Sequence, residues 1–346
     1  MLTARQNVDE VIKGGNPERY ANNYEWIQLL FAPFYMHNPT PQKGQEDVVD
    51  AWGVTNSWPG NVPGPFPVHT PDKVVIKDYE NWRDYVKAPS LDFPEEEWNI
   101  FAPQYDGVDH EQAYAAAFYA PGMFERMHHC GGIENAMMAF YECPDEVHDL
   151  IKFIKDWELQ FAEGLCSHFK GMDAIFHHDD WGSMQSTFMS PAMFEDFFGD
   201  AYAEVYKYYH DHGCKYVVHH SDSYGATLVP TMIDMGIDVW QGCMYSNNLP
   251  ELVSKYGDKI TFMGGFDGAM IDRPDATKEL VKECVYKVLD EVGTPKGFIP
   301  CIAQGGPGSV FPDVYLWLMD AIDEYSIEKM GVKKEDITRL PNQIMF

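Results

Sequence analysis

With 346 residues, 45% of them apolar and 14% aromatic, the chain can bury a substantial core and stands far from the disordered class. Lys and Arg total 25 against 54 Asp and Glu, a formal charge of −29; such a field repels nucleic acid and anionic membrane and leaves small molecules or proteins as partners. Seven cysteines with no CxxC fit reduced thiols, and with no apolar run of about 18 residues and no leader-like start the expected address is cytoplasmic, without a membrane span.

The first half yields three strand candidates, "ERYANNYEW" (18–26), "EDVVDAWGV" (46–54) and "AYAAAFYA" (113–120). A loop-rich stretch from Asn56 to Asp109, dense in proline and glycine, lies among them. A long helical pattern, "GIENAMMAFYECPDEVHDLIKFIKDWELQFAEGL", follows. From there one unit repeats: a short apolar or β-branched run ends in polar or small residues, and an amphipathic segment comes next. The runs are "DAIFHHDD" (173–180), "KYVVHHSD" (215–222), "DVWQGCM" (238–244), "ITFMGGFD" (260–267) and "GFIPCIAQGG" (297–306). The segment "SPAMFEDFFGDAYAEVYKYYHDHG" has Ser190 as N-cap, Pro191 in the first turn and Gly213 as stop. "YGATLVPTMIDMG", "LPELVSKYG" and "DATKELVKECVYKVLDEVG" end in glycine too.

Strand and helix in alternation imply parallel strands with crossover helices. Eight such units predict an α/β chain folded as one (β/α)8 TIM barrel over residues 1–346, with a loop-rich insertion in its N-terminal third. An open doubly wound sheet is the other option, but no Gly-x-Gly-x-x-Gly follows an early strand.

A barrel of this kind builds its site at the C-terminal strand ends. Those ends carry His178 and Asp180, His220 and Asp222, Cys243, Asp267, and Cys301 with Gln304. Residues two apart share a strand face, so His178 pairs with Asp180 and His220 with Asp222. Three uses remain open: zinc ligation, His–Asp pairs that protonate or orient a substrate oxygen, and plain strand and helix caps. His128, His129, His148, His168, His210 and His212 fall outside these ends and read as surface or core residues. Aromatic residues near strand ends, among them Trp181, Tyr224 and Trp240, are mostly expected in the core, with some walling an apolar pocket.

Several stretches resemble the uroporphyrinogen decarboxylase superfamily: "DDWGSMQSTFMSPAMFEDFF", "VVHHSDSYG" with "MIDMGIDVWQ", "GGFDG" and "GFIPCIAQGG". "DAWGV", "GMFER" and "FYECPDEVHDLI" are similar to its corrinoid-dependent methyltransferases, including the methyltransferase component of O-demethylase systems. That resemblance implies a TIM-barrel enzyme moving a methyl group from a small methylated, aromatic substrate to cobalamin on a separate corrinoid protein. It implies zinc at His220, Asp222 and Cys301, chemistry at His178, Asp180, Asp267 and Gln304, and substrate contacts at Trp181, Tyr224 and Cys243. A homodimer is compatible with the sequence.

The departures from the family are chemical. True decarboxylases carry an arginine-rich first strand for a substrate with eight carboxylates; this chain reads "ERYANNYEW" there and has only six arginines. Thiol-methylating relatives hold zinc with His-x-Cys, where this chain has His220-x-Asp222. Oxygen in place of thiolate makes a harder site, better suited to an ether oxygen than to a thiol. A decarboxylase or metal-assisted lyase acting on a smaller acid is the second reading, and a non-catalytic corrinoid- or ligand-binding protein the third.

Overall fold

The computed structural model describes residues 1–346 apart from 61, 63, 304–309, 338 and 340–346. Its centre is a curled sheet of seven parallel strands: β1 (Ile27–Leu30), β2 (Tyr114–Tyr119), β3 (Ala174–His178), β4 (Tyr216–His220), β5 (Val239–Cys243), β6 (Thr261–Gly265) and β7 (Phe298–Cys301). Each pairs with the next in that order. Both faces are covered, which is why the strands read as apolar runs without clean alternation. Ala116, Phe176, Val218, Met263 and Ile299 meet inside the curl. Ala117, Ile175, Val217 and Phe262 pack outward against the helices.

The eight-unit expectation is corrected at its second unit. Among the described residues "EDVVDAWGV" adds no barrel strand; Val48–Val49 joins Thr55–Ser57 and Phe66–Pro67 in a separate three-stranded antiparallel sheet. The cause is turn chemistry. Asp50 accepts the N–H groups of Trp52 and Val54, both at 2.9 Å, which curls the chain after two strand residues. The first strand is also shifted, starting at Ile27 just past "ERYANNYEW". That segment is occupied by a buried Arg19–Glu25 ion pair and by Asn22, whose amide donates to Met319 O at 2.9 Å and Asp323 at 2.8 Å. Asn23 N–H donates to Pro300 O at 3.2 Å, which ties this segment to β7.

Helix α1 (Ala4–Ile12) precedes the first strand, with Thr3 as its capping-box residue. Helix α2 (Met123–Gly131) follows β2, and α3 (Pro144–His168) follows the short helix Ile133–Glu142. The long helical pattern therefore breaks at Cys143, because Pro144 opens a new helix and cannot continue the old one. Ser190 caps the segment after β3 by accepting Met193 N–H at 3.2 Å. That segment widens into a π-turn over Glu195–Gly199 and continues as α4 (Asp200–Asp211). Asn56 to Asp109 is mostly loop, but "EEEW" starts a helix, Glu95–Asp106, with three acidic residues in its first turn. All seven cysteines are free. Among the described residues no helix is long and apolar enough to cross a membrane.

Candidate metal centre at the barrel mouth

The register of the sheet brings the two histidine motifs side by side. His177 aligns with His219 and His178 with His220 on β3 and β4, and His220 aligns with Gln241 on β5. Alternation then sorts the motifs into two layers. His178 and His220 face the mouth, with rings stacked at 4.3 Å and 18°. His177 and His219 face outward, where they are fully buried under α3 and α4: His177 meets Glu158 at 3.2 Å, and His219 meets Tyr206 at 2.8 Å.

At the mouth, one ligand atom each from His178, Asp180 and His220 lies within 4.8 Å of the others. The ring orientations follow from their partners. Gln241 donates through Nε2 to Ala303 O at 3.3 Å and Ile302 O at 3.4 Å. Its Oε1 is therefore the acceptor facing His220 Nδ1, so Nδ1 carries the proton and Nε2 keeps its lone pair. His178 Nδ1 sits 2.9 Å from Glu125 Oε2, which frees its Nε2 in the same way. Imidazoles held at Nδ1 by a carboxylate or amide and open at Nε2 have the posture of metal ligands. Two nitrogens and one oxygen also form a donor set that zinc accepts with an open position.

Glu125 reaches the site because the outward-facing member of "HHDD" holds its helix. Asp179 accepts Phe124 N–H at 3.0 Å and Glu125 N–H at 2.7 Å, which caps the first turn of α2. It also accepts Trp181 Nε1 at 3.0 Å and the Tyr202 hydroxyl. One four-residue motif thus supplies two mouth residues and the buried anchor that positions a third.

The electrostatics pull these groups apart. Burial opposes the charge of His178, but Glu125, Asp180 and Asp222 outweigh it and push the imidazole up to about 10. Burial and the charge on His178 push neighbouring His220 down to about 4. Burial, then Asp180, pushes the Asp222 carboxyl up to about 8. The acidic groups around His178 thus favour a positive charge at the mouth, which a bound cation would supply in place of the His178 proton.

The structure separates the remaining candidate residues. Asp222 stands beside the cluster, its N–H donating to Asp180 at 2.9 Å, but its carboxylate is outside the converging set. Cys301 faces the barrel interior, fully buried, with its thiol donating to Ile302 O at 3.2 Å and held well up by burial. It too stays outside the converging set. Trp181 is no mouth residue: it is buried in the outer layer, stacked on His219 at 3.8 Å. Cys243 is likewise buried in the outer core, because β5 bulges between Gln241 and Cys243 and breaks the alternation. Tyr224 is half-buried on the loop after β4. Asp267 is half-buried and starts the short helix Gly268–Ile271, and no hydrogen bond or ion pair among the described residues joins its carboxylate to the cluster. Gln304 lies outside the described residues.

Four contributors were not among the expected site residues. Gln241 carried a readable signal, an amide at an inward position of an apolar strand. Glu125 carried less, since only tertiary structure turns the start of a helix toward a strand end. His128 and His129, read as bystanders, sit one turn beyond Glu125, and their ligand atoms lie within 4.8 Å of one another and of the Glu125 carboxylate. Burial, with help from His69, pushes His128 down to about 4, and burial beside His128 holds His129 well down.

No curated protein matches this chain in sequence. Among solved structures, a methyltransferase from Methanosarcina mazei is similar with a TM-score of 0.61 at 13% identity, over 94% of this chain and 99% of its own. That is a likeness of fold. D-Psicose 3-epimerase from Clostridium cellulolyticum H10 reaches a TM-score of 0.38 at 9% identity, over 68% of this chain and 85% of its own, too little to bear on the site. The family model described as uroporphyrinogen decarboxylase (URO-D) matches residues 123–325. Matched from the first residue of α2 through every strand end that builds the cluster, the chain belongs to the uroporphyrinogen decarboxylase family.

Proposed function

We propose that this protein is a methyltransferase that takes the methyl group of a small aryl methyl ether and passes it to cob(I)alamin on a separate corrinoid protein. The observation that carries the reading is the donor set His178, Asp180 and His220, two imidazole nitrogens and a carboxylate oxygen without a thiolate. Such donors favour an oxygen partner over a thiol. The likeness of fold to a methyltransferase supports the same reading.

The reaction breaks the bond between the methyl carbon and the ether oxygen. Its electron pair stays on oxygen, and the substrate cob(I)alamin leaves as methylcob(III)alamin. A phenolate is a poor leaving group, so the protein must stabilise charge on that oxygen as it develops. A zinc ion held by His178, Asp180 and His220 would supply that as a Lewis acid. The residues themselves prepare the position: Glu125 and Gln241 orient the two rings, and Asp180, held by the Asp222 N–H, brings its carboxyl beside them. In the metal-free chain the proton on His178 serves as the acid for the departing oxygen.

Decarboxylation of a polycarboxylate, which the family name suggests, is opposed by the arginines. All six are committed to carboxylates of this chain: Arg5 to Asp173, Arg19 to Glu25, Arg83 to Asp149, Arg126 to Asp50, Arg273 to Asp275, and Arg339 to Asp320 and Asp323. A substrate carboxylate would have to displace one of these pairs.

Incubating the zinc-loaded protein with chemically reduced cobalamin and a panel of methoxylated aromatics tests the proposal. Methylcobalamin should accumulate, followed by its absorbance, with one phenol released per methyl group. Its absence across phenyl methyl ethers and methylamines would overturn the assignment.

A further inference from the structure

We propose a second divalent-cation site next to the first, formed by Glu125, His128 and His129 of α2 and suited to zinc or another metal that prefers nitrogen and oxygen donors. One ligand atom from each of the three residues lies within 4.8 Å of the other two. Glu125 and His128 stand at i and i+3, a spacing at which helical Glu-x-x-His pairs converge on one metal. His129, one turn on from Glu125, brings Nε2 to 3.8 Å from Glu125 Oε1. That is too long for a hydrogen bond, but close to the ~3.4 Å between two ligands at about 2.1 Å from one tetrahedral zinc.

A second observation, independent of the spacing, points to a missing occupant. His128 Nδ1 is buried and has no hydrogen-bond partner among the described residues, a loss that native interiors seldom tolerate without a reason. Two imidazoles and a carboxylate facing one another all offer lone pairs, and a cation is the group that satisfies all three.

Glu125 connects this site to the first. Its Oε2 takes His178 Nδ1 at 2.9 Å, which leaves Oε1 for the second cation. Asp179, capping the first turn of α2, holds Glu125 between the two sites. The mouth would thus carry a pair of metal positions joined through one carboxylate and one imidazole. The second position rests on the reading of His178, Asp180 and His220 only for the count of two.

The test uses zinc alone. The full chain is stripped with a chelator, equilibrated with excess Zn2+, passed through gel filtration and measured by elemental analysis. Two equivalents are expected for the wild type, one for His128→Ala, one for His129→Ala, and one for His220→Ala. Circular dichroism checks that each variant is folded, and either α2 variant that folds is sufficient. A wild type holding one equivalent, lost in His220→Ala and kept in both α2 variants, overturns the second site. One equivalent lost in His129→Ala and kept in His220→Ala would instead support the second site and displace the metal placement proposed above. A wild type that binds no zinc overturns both.

Discussion

Gln241 decides what His220 can do. Its amide is pinned by the Ile302 and Ala303 carbonyls, so it presents only an oxygen to Nδ1. Replacing it with leucine removes that acceptor and lets the ring flip or change tautomer. Gln241→Leu should therefore weaken zinc binding by about 10- to 100-fold, read by competition with a chromogenic chelator. Unchanged affinity would mean that something else sets the tautomer. Glu125→Gln should act in the same direction on His178, because an amide in place of the carboxylate also removes the charge that favours a cation. The site was legible to the extent that strand geometry dictates it: a period of two places His178 with Asp180 and excludes His177 and Asp179. It ceased to be legible where contacts cross between elements. Nothing local says that Asp179 caps a helix 55 residues earlier in the chain, or that the cap delivers Glu125. Cys243 shows the same limit, since the bulge after Gln241 turns it into the outer core; Trp181, an odd number of residues from His178, follows the alternation outward.

Two elements hold the strands that present these residues. The bulge in β5 depends on Gly242, whose φ of +95° lies in the left-handed region. A Cβ there would lie 2.6 Å from the Ser221 carbonyl oxygen, directly after His220. Gly242→Ala should destabilise the protein by about 2–4 kcal/mol, measured by urea unfolding; a loss below about 0.5 kcal/mol would show that the bulge relaxes freely. At the other end of the barrel, α1 is tied down by Asp9, which accepts from the Tyr114 and Tyr216 hydroxyls at 2.6 and 2.7 Å and from Lys215 at 2.7 Å. Burial alone would raise this carboxyl, but Lys215 and the two phenols outweigh it and lower it. A lowered carboxyl stabilises the fold above its unfolded value and loses that contribution as pH falls through its folded value. Asp9→Asn should thus cost about 2 kcal/mol at pH 7, with the gap to wild type closing below about pH 4. A gap that widens on acidification would contradict the sign. These elements also mark where the sequence could be read. Strands three to seven were legible because each apolar run ends in polar or small residues and the four helical segments between them stop at glycine. "EDVVDAWGV" misled because two valines suffice for a strand-like run while Asp50 folds the chain back, a contact invisible to periodicity.

At the scale of the molecule, charge is the dominant unspent quantity. With 54 carboxylates against 25 cations, pairing every Lys and Arg once would still leave 54 − 25 = 29 carboxylates without a cation. The arginines are already committed, and several lysines bridge neighbouring helices, as Lys278 does to Asp320 and Lys282 to Glu324. The remaining acids repel one another across a surface where the screening length is about 10 Å at 0.1 M salt. Compaction brings these charges together, so the folded state bears more repulsion than the unfolded chain. Added salt should therefore stabilise this protein, whereas salt bridges alone would predict the opposite. Raising NaCl from about 20 mM to about 500 mM should lift the Tm of the chelator-treated protein by a few degrees, within the range that about 1 kcal/mol produces in a domain of this size. Differential scanning calorimetry in the two buffers measures it, with chelator present so that cation binding does not contribute. A Tm that falls with salt would mean that the ion pairs, rather than the excess of acid, govern the surface energetics.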